Sequence, residues 1–448
     1  MSTIRYPQQC YSYRHLIAMA APLILSFLLE QAIGMMDVAF LGRLGPVPLG
    51  AAAPAGVAFL TLLMLGVGYT MGVQAYMSRR NGEKAYDKIG AAFQSGALFL
   101  LVLALVLTAL TVAFSSNFFQ ASCQSAAVAE AADQYLFWRV LGLGGAFLTN
   151  LYRAYFVATL RPNILLTSSA LMLGTNALLN YALIFGAGPF PALGIAGAAI
   201  ASTLSELVCL AVFVIYSVRS GSCRTYGLYT RLAISWSLER TLWRLGRYLM
   251  IQEAFAFAAW LVFFMATEHL GETDLAVSNI VRQIASLLFL LIHGFGAACA
   301  AVASNLLGQN RAQDVPVVLK KGLWLTTLGL APLIGLVALF PEAVLAIFTD
   351  MPSVIEASQS TLWVMLGSYA LAVPSMFLLF VIAGIGLTRE ASIAGVVATI
   401  GYLLYIALIV NLTDNVAVVW TADYVYYGLS GLICAYVYRQ GHWKHRAL

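Results

Sequence analysis

Nine ionisable side chains stand inside long apolar stretches of this chain: Glu30, Asp37, Glu206, Glu253 and Asp423, with Arg139, Arg153, Arg282 and His293. An ionisable group near a bilayer centre costs about 2.5–3.5 kcal/mol on insertion scales, so each needs a partner or a task. Burial disfavours the charged form of a carboxylate. A buried acid therefore carries a proton, or ligates a hard cation such as Na⁺ when further oxygens stand near. Glu30 and Asp37 are seven residues apart, hence about 20° apart around a helix and roughly 10 Å along it. They share one helix face, Glu30 near mid-depth and Asp37 nearer the outer side. The alternative is an ion pair with Arg139, Arg153 or Arg282, and it is the preferred reading for Glu206 and Asp423.

Glu253 precedes Phe257, Trp260 and Phe264 on one apolar stretch. An acid lined by aromatics suits a lipophilic cation, through charge neutralisation and cation–π contact; aromatic packing around a neutral Glu is the competing reading. His293 reads as a core histidine, and Gly66, Gly68 and Gly72 as positions of close helix packing. The six cysteines are widely spaced without C-x-x-C, which argues against metal or redox work. No G-x-x-x-x-G-K-[ST], H-E-x-x-H or G-x-S-x-G occurs, so nothing points to an enzyme or to ATP as energy source.

The elements that must position these groups are membrane helices. Of 448 residues, 61% are hydrophobic and only 10% charged, against about 25% charged in soluble domains. Apolar runs near the ~20 residues that cross a bilayer predict spans at 16–41, 49–77, 90–114, 135–159, 164–186 and 193–218. A second set follows at 243–268, 275–306, 319–340, 361–387, 391–411 and 416–438. The first run is too long for a signal peptide and carries two acids, so it reads as retained structure. The net charge of +5 does not imply nucleic acid, because the Lys and Arg cluster in alternate loops, among them Arg79, Arg80, Lys84, Lys88, Lys320 and Lys321. Only Arg43 falls in the opposite loops. The positive-inside rule then predicts both termini in the cytoplasm and an even number of spans.

Sliding the chain by 226 residues pairs Leu44 with Leu270, Gly45 with Gly271, Leu49 with Leu275 and Gly68 with Gly294. The same offset pairs Ser78 with Ser304, Gly82 with Gly308 and Gly96 with Gly322. Six spans per half give both halves the same orientation, related by an axis along the membrane normal. The expected organisation is a six-helix lobe at 1–220, a basic cytoplasmic linker at 221–242 and a second lobe at 243–448.

Several local patterns resemble the multidrug and toxic compound extrusion (MATE) family over nearly the whole chain, most closely its DinF-type bacterial members. Pro22 stands fifteen residues before Asp37, followed by Leu41-Gly42-Arg43-Leu44-Gly45, as in the family's bending first helix with its essential aspartate. Gly72-Val73-Gln74-Ala75 through Arg79-Arg80-Asn81-Gly82-Glu83 is similar to the family's second-span signature, and Gly308-Gln309-Asn310 ends the eighth span likewise. Asn176 and Asn180 match two polar fifth-span positions, and Gly197-Ala198-Ala199-Ile200-Ala201-Ser202 resembles a sixth-span G-A-A-x-A-T with Ser for Thr.

The resemblance implies an all-α integral membrane fold of twelve transmembrane helices in two pseudo-symmetric six-helix bundles. It implies a cation-coupling site of Asp37, Asn176, Asn180 and Ser202, with the Ala198 carbonyl as a further ligand. Asp37, Asn176 and Asn180 would be the Na⁺ ligands. Glu253 matches the seventh-span glutamate of NorM-like members, and Glu253, Glu30 and Trp260 are the candidates for a substrate or second cation site. The chain departs from the family at Asn180, an Asp in archaeal members, and at Ile33, a Tyr in some, so Na⁺ and H⁺ both stay open. The stretch Thr361–Leu387 lacks the acid that partners the glutamate in NorM-like members. The expected protein is a monomeric multi-pass transporter of the bacterial inner membrane. It would export organic, cationic or amphipathic compounds by alternating access between its halves, in contact with lipid, without nucleic acid and without a cofactor beyond the coupling ion. The rival expectation is a flippase of lipid-linked precursors, which needs a cationic cavity.

Overall fold

Apolar runs of this length satisfy their backbone N–H and C=O groups in lipid only as helices or closed barrels. The computed structural model describes residues 11–123, 125–229, 235–413 and 415–444; all regular structure among them is helical. In chain order the helices are α1 (Tyr13–Gly42), α2 (Pro46–Gly82), α3 (Tyr86–Ser122), α4 (Ala126–Leu141), α5 (Leu143–Ala158), α6 (Asn163–Phe185), α7 (Gly194–Arg219) and α8 (Ser222–Tyr226). They continue as α9 (Trp236–Leu270), α10 (Glu272–Gly308), α11 (Val315–Leu339), α12 (Pro341–Leu345), α13 (Pro352–Gly384), α14 (Thr388–Ile409), α15 (Val416–Val419) and α16 (Ala422–Gln440).

Eleven helices among the described residues are long and apolar enough to cross a membrane. The remaining predicted span, 135–159, falls on α4 and α5, two helices of 16 residues each that meet at Gly142. A methyl group there would lie 2.4 Å from the Thr203 side chain of α7, so the glycine sits where this helix pair crosses α7 closely. Large apolar side chains such as Leu105, Leu178 and Leu339 remain exposed, as lipid-facing surfaces require.

The chain forms two compact units, one of residues 25–254 and one of residues 255–448 together with the start of α1 up to Ile24. Both borders lie inside helices, α1 and α9. Of the basic stretch between the halves, residues 230–234 lie outside the described residues, and α8 packs on α3 within the first unit. There Gln94 donates to the carbonyls of Gly227 (2.9 Å) and Leu228 (3.1 Å).

The 226-residue repeat is visible in the backbone. Gly45 and Gly271 precede matching helices with φ of 122° and 144°; Lys84 and Asn310 have φ of 60° and 58°; Leu160 and Gly386 have φ of 58° and 92°. Left-handed backbone is uncommon away from glycine, so three pairs at one offset mark the same turns built twice. Close packing repeats as well. A methyl at Gly68 would lie 2.7 Å from the Met250 nitrogen, and one at Gly294 would lie 2.2 Å from Ile24 Cγ1. Residues 24 and 250 are themselves 226 apart. The N-terminal half of α9 thus packs on α2 within the first unit, and that of α1 packs on α10 within the second.

Candidate functional site: a half-buried carboxylate among neutral polar groups

Helix α6 carries Asn176 and Asn180 one turn apart, hence on one face, and α7 carries Ser202. The two helices approach because Gly197 has no side chain: a methyl there would lie 2.5 Å from the Leu183 carbonyl oxygen of α6. Ala198, Ala199 and Ala201 beside it are small and fully buried. This close contact sets Ser202 against the asparagines, where Asn176 donates to its Oγ at 3.2 Å.

Asp37 of α1 completes the cluster. Asn180 donates to Asp37 Oδ1 at 2.6 Å and Ser202 donates to Oδ2 at 2.8 Å. The second N–H of Asn180 reaches Asn176 Oδ1 at 3.0 Å. Asn176 and Asn180 are fully buried and Asp37 half-buried. The structure therefore brings together four of the five expected coupling residues by hydrogen bonds. Ala198 lies one turn before Ser202 on α7, with no polar contact to Asp37.

The donor set fits a hard cation. Asn180 Oδ1 is buried and accepts no hydrogen bond, an acceptor left over beside a carboxylate. One carboxylate with two amide oxygens and a hydroxyl is the oxygen-only chemistry that Na⁺ takes, and no cluster of three or more His, Cys, Asp or Glu occurs among the described residues. The same carboxylate also suits a proton, since protonated Asp37 keeps one acceptor oxygen for each existing donor.

The other intramembrane acids divide by partner. Glu30 pairs with Arg153 of α5, and its Oε1 also accepts from Ser26 (3.0 Å) and Ser169 (3.1 Å). Arg139 donates to Glu206 at 2.9 Å, its guanidinium lying 3.9 Å from the Phe59 ring. Arg282 stands 3.9 Å from Asp423. Asp37 and Glu253 form no ion pair among the described residues, the Arg139 charge reaching Asp37 only from beyond ion-pair distance. Glu253 is half-buried on α9; seven residues on, Trp260 lies between a tilted Phe257 (5.4 Å) and an edge-on Phe264 (4.8 Å). His293 stacks on Phe380 at 4.9 Å.

Sequence reading singled out neither Ser26 nor Ser169, the hydroxyls that hold Glu30. Their one available signal is position: Ser26 is one turn before Glu30, and Ser169 lies seven residues before Asn176 on the same face of α6.

The chain is similar to known proteins over most of its length. The pattern of the MatE family matches residues 22–182 and 249–412, once in each half. The chain belongs to the MatE family. It is a multi-pass membrane transporter, not an enzyme. A probable multidrug resistance protein NorM of Aromatoleum aromaticum is 27% identical over 341 residues, covering 75% of this chain and 72% of that protein. A NorM protein of Synechocystis is 26% identical over 444 residues, covering 95% and 94%. A solved structure of MATE in complex with MaL6 superposes with a TM-score of 0.88 over 96% of each chain at 18% identity, a likeness of fold. Shared twelve-helix architecture and matching halves agree with the repeat read from the backbone.

Proposed function

We propose that the protein is a cation-coupled antiporter that exports organic, cationic or amphipathic compounds by alternating access, with Na⁺ or H⁺ bound at Asp37. The observation that carries this reading is the difference among the intramembrane charges. Arg139, Arg153 and Arg282 each face an acid, whereas Asp37 is held only by neutral donors beside a spare buried oxygen.

An uncompensated carboxylate in low dielectric is driven to take up a cation, and filling it changes the hydrogen bonds that tie α1 to α6 and α7. That is the kind of differential interaction through which an ion shifts a conformational equilibrium. Asp37, Asn176, Asn180 and Ser202 would hold Na⁺; a proton would need Asp37 alone. Glu253, the second acid without a counter-charge, serves the cationic substrate, with the Trp260 cluster two turns further along α9. Glu30 is neutralised by Arg153, which favours a role in anchoring α1 over binding a cation. A flippase of anionic lipid-linked precursors would need a surplus of unpaired guanidinium, and the pairing of all three arginines speaks against it.

The multidrug naming of the relatives supports small-molecule cargo, and the bacterial relatives and basic loops support an inner-membrane location with both termini in the cytoplasm. The deciding experiment is dye efflux in everted vesicles under imposed Na⁺ or proton gradients. Transport that ignores both gradients would end the coupling reading.

A further inference from the structure

The repeat allows the surroundings of Asp37 to be compared with their counterparts in the unit of residues 255–448. Adding 226 to Asp37 gives Phe263, and adding it to Asn176 gives Tyr402. These two aromatic residues are neighbours, with ring centroids 6.4 Å apart, as the polar pair they replace are neighbours in one hydrogen-bonded cluster. Where the first unit presents an acid and neutral oxygens, the second presents rings.

A cation already stands there. The Arg282 guanidinium carbon lies 4.6 Å from the centre of the Phe263 ring and 4.3 Å from that of Trp420. Trp420 is fully buried, packs edge-on against Phe263 at 5.4 Å and donates its indole N–H to Ser278 at 3.3 Å. Asp423, buried on α16, supplies the negative charge at 3.9 Å. Arg282 Nε and Nη2 are buried without hydrogen-bond partners. The guanidinium is thus held by ring faces, the Tyr402 hydroxyl and one carboxylate, much as aromatic cages hold ligand cations.

We propose that Arg282 is a built-in cation that fills, in the unit of residues 255–448, the place where the Asp37 cluster takes its ion in the unit of residues 25–254. The second unit then takes no coupling ion at this position. This rests on the coupling reading of Asp37. Asp423 is the counter-charge that makes the second site cation-selective, and Phe263 and Trp420 match it to a flat guanidinium.

The test is thermal unfolding of the purified full chain. Arg282→Ala leaves Asp423 buried without its counter-charge and should lower the midpoint on the order of 10 °C. Low-millimolar methylguanidinium should restore most of that loss, saturably, while leaving wild type and Arg282→Ala/Asp423→Asn unmoved. Absence of such selective recovery would overturn the proposal. Should Arg282→Ala fail to fold, Arg282→Met is compared with Arg282→Met/Asp423→Asn. The double variant should fold where the single one does not; equal failure of both would also overturn it. Gradient-driven efflux by Asp37→Asn is read separately. If that efflux persists, the coupling reading falls, whereas the methylguanidinium readout still decides whether Arg282 occupies a cation site.

Discussion

Asn180 donates to Asp37 at 2.6 Å while its own buried carbonyl oxygen accepts nothing. One amide thus holds the carboxylate in place and keeps an oxygen in reserve beside it. A buried acceptor without a partner costs free energy, and a bound cation relieves that cost together with the charge on Asp37.

Asp37→Asn should abolish gradient-dependent efflux of ethidium-like dyes at unchanged protein level. The amide keeps an acceptor for Ser202 and nearly the same volume, so folding should survive while the charge is lost. Efflux at the wild-type rate would remove Asp37 from the mechanism.

Asn180→Ala removes one donor to Asp37 and the spare oxygen, and Ser202→Ala removes the other donor. Each removes an oxygen that would ligate Na⁺, so at about 1.5–3 kcal/mol per contact to a charged group each variant should require about 10- to 100-fold more Na⁺ for half-maximal efflux. For H⁺ the sign reverses, because both hydrogen bonds favour the ionised carboxylate: either variant should need less H⁺, with half-maximal efflux at higher pH. A Na⁺ titration and a pH titration of transport would separate these outcomes.

Glu30 and Arg153 should behave as one unit. Removing a single partner of a buried ion pair costs about 3–5 kcal/mol, because the survivor is stranded. Glu30→Gln and Arg153→Met should each lower thermal stability, and the double variant should regain much of the loss. Purely additive losses would mean that the pair contributes no coupling.

Glu253→Gln should weaken export of cationic substrates more than of neutral ones, without affecting ion dependence at Asp37. Uniform activity across both classes would leave Glu253 a packing residue.

The repeated glycine contacts should differ in tolerance. At Gly68 a methyl meets the backbone of Leu249 and Met250, whereas at Gly294 it meets only the side chain of Ile24. Backbone cannot swing aside, so Gly68→Ala should cost about 1–3 kcal/mol and Gly294→Ala less. Thermal unfolding of the two variants compares them directly.

Much of the architecture was legible in the sequence because lipid imposes a simple rule. A run long and apolar enough to cross must be helical, and basic loops orient it, so spans and repeat follow from composition and spacing. The break at Gly142 was not legible: α4 and α5 form an apolar stretch, and only the crossing of α7 shows why a glycine is needed there. The cluster at Asp37 was expected from residue types matched to a family pattern, and its hydrogen bonds join helices far apart in the chain.

What sequence by itself determined is which residues are too polar for lipid and therefore need company. Which company each one keeps was decided by tertiary structure. Glu30 and Asp37 share a helix face and a residue class, yet helix packing puts Arg153 against one and only neutral hydrogen-bond donors against the other. The physical reason is that an ion pair depends on a few ångströms between side chains of different helices, a distance that periodicity along one helix does not encode.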